Sequence, residues 1–198
     1  DLGRQEEGAN FQMVLIDDTT NEIVVPNGTM GERHTNPQKW NLRLENRNTG
    51  AKIDPRLSVF DQRQDVTVVK LPYFGDEEHE GVIERAIPTI TVQTVDGPVK
   101  VTTVYDLILA NYGIDRGIGG EVATSYTDDT PYTPTWQEKI TGVTADIAIA
   151  TAREFADNAE KTKGRSMIIM GGGINHWYHA DIIYRTILNL IMFCGTEG

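Results

Sequence analysis

The chain has 198 residues, 39% hydrophobic and 24% charged, a globular composition and not a disordered one. Its 18 Lys and Arg stand against 29 Asp and Glu, and the net charge of −11 argues against a binder of nucleic acid or of an anionic membrane surface, which needs clustered basic charge. A single cysteine, Cys194, excludes an intrachain disulfide framework and an all-cysteine metal or iron–sulfur site made by this chain alone.

The first hundred residues read as strands and loops. Phe11–Ile16 and Glu22–Val25 are rich in strand formers, with the turn cluster Asp17–Asn21 between them. Pro26-Asn27-Gly28 reads as a further turn. Residues 31–56 are polar and broken by Gly, Pro and Asn, so they read as a long surface excursion anchored by Trp40. Asp65–Leu71 is a strand, and residues 75–80 an acidic loop containing Glu77, Glu78 and Glu80. Ala86–Thr103 reads as a hairpin turning at Val95-Asp96-Gly97-Pro98, because Asp-Gly is a strong hairpin signal.

The pattern then switches to helix. Thr103 and Asp106 form a capping-box-like start, and Gly113 is a natural stop. A Gly/Thr/Asp loop covers residues 117–133. Thr133-Pro134 opens a short helix that carries Trp136 and ends at Gly142. Thr144 caps the next helix, which runs through Phe155 and Ala159. Ser166–Met170 is a continuous apolar run, the mark of a buried parallel strand. The helix expected from Trp177 to Phe193 is apolar on most of its circumference, as for a helix inside a larger body. Tyr184, Arg185, Thr186 and Asn189 interrupt it, so it falls short of the roughly 20 apolar residues of a membrane span. The fold class is therefore α/β: a β-rich N-terminal part, 1–102, then an α/β segment, 103–198, with a buried parallel strand. Both ends read as interior sequence, and the expectation is an internal piece of a longer protein.

The densest polar cluster is Gly171-Gly172-Gly173-Ile174-Asn175-His176-Trp177-Tyr178-His179-Ala180-Asp181. It follows the strand and leads into the helix, the place where open α/β sheets bind ligands. Three glycines let backbone approach a ligand, and N–H groups at a helix start suit an anion such as phosphate. Asn175, His176, Tyr178 and His179 add donors and acceptors, and Trp177 a flat face. The dinucleotide fingerprint fails, because His176 stands where its third glycine is needed. His176 and His179 would share one face if helical, and with Asp181 they make an incomplete zinc set. His34 and His79, the other two histidines, sit in polar loops.

Gly164–Met170 leading into Gly171–Asp181, then Tyr184-Arg185 and Asn189-Leu190, resembles the catalytic alpha subunit of respiratory, membrane-bound nitrate reductases. The resemblance extends to Thr102–Leu107, Leu109–Gly113, Tyr132–Trp136, Ile140–Val143, Ala152–Ala159, Val25–Gly28 and Pro72–Gly75, and is looser over residues 30–65. It implies part of a molybdopterin oxidoreductase fold of the dimethyl-sulfoxide-reductase type, with 103–198 an incomplete cofactor-binding segment. It implies molybdenum held as a bis(molybdopterin guanine dinucleotide), with a [4Fe-4S] cluster whose ligands lie outside this segment. It further implies nitrate as substrate, an iron–sulfur beta subunit and a membrane cytochrome b gamma subunit as partners, and peripheral membrane association. Relatives in this group act on chlorate, perchlorate, selenate or nitrite. Carried over by position, Gly171, Gly172, Gly173, Asn175, His176, Trp177, Tyr178 and His179 line the pterin pocket. His176 or His179 would stabilise its negative charge, and no metal ligand is assigned here. In the family a further glycine-rich cofactor stretch follows Cys194-Gly195, whereas Thr196-Glu197-Gly198 stand here, so the isolated segment is expected to be inactive.

Overall fold

The computed structural model describes residues 14–27, 43–73 and 81–196. Expectations for Phe11–Met13, Gly28, His34, Trp40, Phe74, Gly75, the acidic loop and His79 fall outside the described residues. The chain forms two compact units. One holds the described residues up to Val69 together with Arg85–Asn111. The other holds Lys70–Glu84 and the described residues from Tyr112 onward.

In the first unit, β1 (Leu15–Ile16) pairs antiparallel with β2 (Ile23–Val24). The intervening turn is built on Asp17, which is buried. Its carboxylate accepts the backbone N–H of Thr19 at 3.1 Å and of Asp54 at 3.2 Å, and the Thr20 hydroxyl at 3.2 Å. β3 (Pro26–Asn27) pairs antiparallel with β4 (Arg43–Asn46). This corrects the reading of Pro26-Asn27 as part of a turn, and it places a strand, Arg43–Asn46, within the stretch 31–56 expected as a long surface excursion. A proline is tolerated at a sheet edge, and a short two-stranded pairing across a long connection leaves little local pattern.

β5 (Asp65–Tyr73), β6 (Gly81–Thr94) and β7 (Gly97–Val101) form a sheet in the order β5-β6-β7. The strands' 70–73 and 81–84 portions belong to the second unit. The expected hairpin is present: Thr94 pairs with Gly97 around the two-residue loop Val95-Asp96, so the register places Gly97 just past the loop, with φ 110°.

α1 (Val104–Asn111) begins with the expected reciprocal cap. Asp106 N–H donates to Thr103 Oγ1 at 3.0 Å, and the Thr103 hydroxyl donates to Asp106 Oδ2 at 2.7 Å. The carboxylate of Asp106 also accepts the Ser58 hydroxyl at 2.6 Å and Val59 N–H at 2.9 Å. Ile53, Val59, Ile87 and Ala110 are buried in the same unit. A buried carboxylate that receives several donors is stabilised, whereas its removal leaves those donors without an acceptor.

The second unit carries α2 (Pro134–Thr141), α3 (Ala145–Thr162), α4 (Gly172–Asn175) and α5 (Ala180–Phe193). Thr133 caps α2 as expected, accepting Trp136 N–H at 3.2 Å, and Gly142 ends it at φ 73°. Thr144 occupies the N-cap of α3 but its side chain makes no capping bond. Instead Glu138 Oε2 accepts Ala145 N–H at 2.8 Å. The backbones at the ends of α3 and α5 meet closely: a Cβ on Gly164 (φ +88°) would lie 2.2 Å from Gly195 O.

Residues 166–170 form no strand among the described residues, and Met167 and Ile169 are 78% and 86% exposed, so the expected buried parallel strand is not seen in this segment by itself. A parallel strand needs neighbours on its edges and cover on both faces, and no described segment supplies them. Exposure nevertheless alternates residue by residue over 165–170, the period of an extended chain covered on one side. α5 begins at Ala180, three residues later than the helix expected from Trp177. Ile182, Leu188, Leu190, Met192 and Phe193 on it are exposed. Tyr112 holds its C-terminal half, accepting Asn189 Nδ2–H at 3.1 Å and meeting Phe193 edge-on.

Two predictions concern this framework. Asp106→Ala should lower unfolding free energy by roughly 2–4 kcal/mol in urea titration, and a change near zero would contradict the buried network. Acid should destabilise the fold. Burial works against ionised Asp17, but the Asp54 and Thr19 N–H groups and the Thr20 hydroxyl outweigh it, leaving its pKa below the usual value. The Lys100 ammonium and the Val66 N–H do the same for Asp65; the N–H and hydroxyl of Thr124 and the Ser125 N–H do so for Asp128. Depressed folded-state values contribute stability that is present above the unfolded aspartate pKa, about 3.9. That stability is lost as pH falls through the lower folded values. The urea midpoint should drop below about pH 4, less steeply in Asp17→Asn; a flat profile would contradict it.

Candidate functional site

Glycine is a poor helix former, and the run Gly171–Gly173 permits only the single turn of α4. Gly171 precedes it in extended conformation, and the turn ends at His176. Backbone bonds then step along at i→i+3: Ile174 N–H to Gly171 O at 3.4 Å, Trp177 N–H to Ile174 O at 3.2 Å, Ala180 N–H to Trp177 O at 3.2 Å. His179 adopts the left-handed conformation, φ 63° and ψ 27°, and serves as N-cap of α5 without a side-chain bond. A non-glycine residue there is uncommon, although histidine is among the residues enriched in it.

The eight candidate residues therefore form one continuous exposed turn. Trp177 and Tyr178 are 70% and 88% exposed, and the Tyr178 and His179 rings lie 4.1 Å apart between centroids. His176 and His179 do not share a helical face, because α4 ends at Asn175 and the backbone turns left-handed at His179. That corrects the geometry on which a zinc pair depended. Among the described residues no group of three or more His, Cys, Asp or Glu is gathered to hold a metal ion. A Cβ placed on Gly171, Gly172 or Gly173 would meet nothing within 4 Å, so space beside that backbone is open.

The donor set fits an oxygen-rich, partly aromatic group. It offers backbone N–H at the glycine turn, the Asn175 amide, two imidazoles and a flat indole face. One contributor was missed in reading the sequence for site residues. Tyr184, in α5, donates its hydroxyl to Asn175 Oδ1. The two are nine positions apart, with the left-handed His179 in the turn between them. The first unit carries a separate groove of about 510 Å³ beside Ile23, Gln62, Gln64 and Gln93. Gln64 there already accepts Thr91 N–H at 2.9 Å. No helix of the described residues is long and apolar enough to cross a membrane.

No family model matches the chain. The relatives are alpha subunits of oxyanion reductases. The chain is 44% identical over 198 residues to the nitrate reductase alpha chain of Bacillus subtilis, covering 100% of this chain and 16% of that one. It is 45% identical over 204 residues to the respiratory nitrate reductase 1 alpha chain of Escherichia coli, covering 98% of this chain and 16% of that one. A shorter match, 44% over 66 residues, relates 33% of this chain to 7% of the perchlorate reductase subunit alpha of Dechloromonas aromatica. The chain is thus a homologue of nitrate reductase alpha chains, and it spans about 16% of the length of the curated relatives it matches.

The left-handed His179 gives a direct stability prediction. His179→Gly should leave thermal stability unchanged or raise it by up to about 1 kcal/mol, while His179→Val should lower it by roughly 1–2 kcal/mol. Equal effects of the two replacements in thermal denaturation would contradict the geometry.

Proposed function

We propose that the chain is a segment of the catalytic alpha subunit of a nitrate reductase that reduces nitrate to nitrite in anaerobic respiration. The observation that carries this reading is identity of 44–45% to nitrate reductase alpha chains across essentially the whole chain. The apolar faces of residues 166–170 and of α5 support it, because they suit a segment packed inside a larger subunit. In that subunit residues 166–170 would complete a buried parallel strand.

The cofactor of this reading is molybdenum bis(molybdopterin guanine dinucleotide), and when bound it supplies the oxygen-atom transfer to and from molybdenum. This chain's residues would hold and orient it. Gly171, Gly172 and Gly173 admit its polar edge against backbone N–H groups. Asn175 and the imidazole of His176 or His179 donate hydrogen bonds to its acceptors and offset its negative charge. Trp177 and Tyr178 offer faces against its rings and keep water from one side. The [4Fe-4S] cluster draws its ligands from elsewhere in the subunit, since this chain has one cysteine. Electrons would arrive from an iron–sulfur beta subunit and a membrane cytochrome b gamma subunit, to which the alpha subunit is peripheral.

The test is to purify the full-length alpha subunit with its beta partner. Molybdenum and pterin content are measured, and reduced viologen dye is supplied with nitrate, chlorate, perchlorate, selenate or nitrite. The expected result is stoichiometric molybdenum and fastest turnover of nitrate. Preference for perchlorate, to whose reductase part of the chain is related, would replace the substrate. Colourless, molybdenum-free protein would replace the whole reading with a non-catalytic binding module.

A further inference from the structure

We propose that Tyr184 is a positioning residue that sets which end of the Asn175 carboxamide faces a ligand; the inference rests on the proposed function. The glycine turn has little to hold it. Besides the bonds within the single turn of α4, its backbone is held by i→i+3 contacts of 3.2–3.4 Å, and its glycines carry no side chains. Among the described residues, the Tyr184 hydroxyl to Asn175 Oδ1 is the one side-chain hydrogen bond that residues 171–179 make. It ties the end of α4 to the second turn of α5, across the left-handed His179.

The consequence is chemical. An asparagine side chain has one accepting oxygen and an amino group with two N–H donors. With the oxygen engaged by Tyr184, what Asn175 presents outward is its N–H groups. The site is thereby biased toward an acceptor, such as a phosphate oxygen or a pterin carbonyl or ring nitrogen, and away from a donor. A rotated carboxamide would present its oxygen and repel the same group. Tyr184 touches no ligand in this account; it acts through Asn175.

The experiment uses the full-length alpha subunit with its beta partner and three variants, Tyr184→Phe, Asn175→Asp and Asn175→Ala, plus the double variant Tyr184→Phe/Asn175→Ala. One readout is molybdenum and pterin retained through gel filtration. The other is backbone hydrogen exchange over residues 174–178. Tyr184→Phe should weaken retention roughly 2- to 10-fold, the worth of one hydrogen bond, and speed exchange in the turn. Asn175→Asp keeps an oxygen for Tyr184 but loses the N–H donors, so it should preserve slow exchange yet lose cofactor. The double variant should retain no less cofactor than Asn175→Ala, because the two residues act as one unit. Multiplying effects in the double variant, or wild-type retention in Tyr184→Phe, would overturn the proposal. A wild-type subunit that holds no cofactor overturns the proposed function instead, and with it the ligand side of this inference.

Discussion

A helix that is apolar around most of its circumference needs cover on every side, and α5 has it on part of one. Tyr112 and the backbone contact between Gly164 and Gly195 hold the C-terminal half of α5 to its unit. Ile182, Leu188 and Met192 remain exposed, and so do Met167 and Ile169. Buried apolar area is the main stabilising term in folding, so surfaces of this composition imply a partner. The same need bears on the site, because the glycine turn joins the extended residues 166–170 to α5. Whatever covers those two elements would also border the glycine turn between them.

Elements specified by neighbouring residues were legible in the sequence. Thr103 with Asp106, and Thr133 with Pro134, encode helix starts within a single turn, and both caps are present. The hairpin at Val95-Asp96 was equally local. Elements specified at a distance were not. The pairing of Pro26–Asn27 with Arg43–Asn46 has no short-range signature. Ser58 and Val59 as partners of Asp106 lie almost fifty residues away and gave no sign of it. The apolar run 166–170 was read correctly as apolar, but a parallel strand is a property of its neighbours as much as of its own residues.

The candidate site shows the same division. The glycine run and its polar successors stood out by composition and by position between an apolar run and a helix. Their geometry did not. A helical continuation through Asn175 and Trp177 would have placed His176 and His179 on one face, whereas α4 ends at Asn175, His179 is left-handed, and Tyr184 meets Asn175. A left-handed histidine has only a weak sequence signal, since most histidines lie elsewhere in backbone space. The result is a turn rich in donors with open space beside it, which suits a large polar cofactor better than a metal ion held by paired imidazoles.

The proposed function requires that the rest of a larger reductase subunit complete this segment. Backbone hydrogen exchange over residues 165–170 and 180–193 tests it most directly, comparing the segment alone with the full-length alpha subunit. Fast exchange over 165–170 is expected in the segment and strong protection there in the subunit, with α5 gaining protection as well. Equal exchange of both stretches in the two proteins would show that nothing covers them, and would contradict the account.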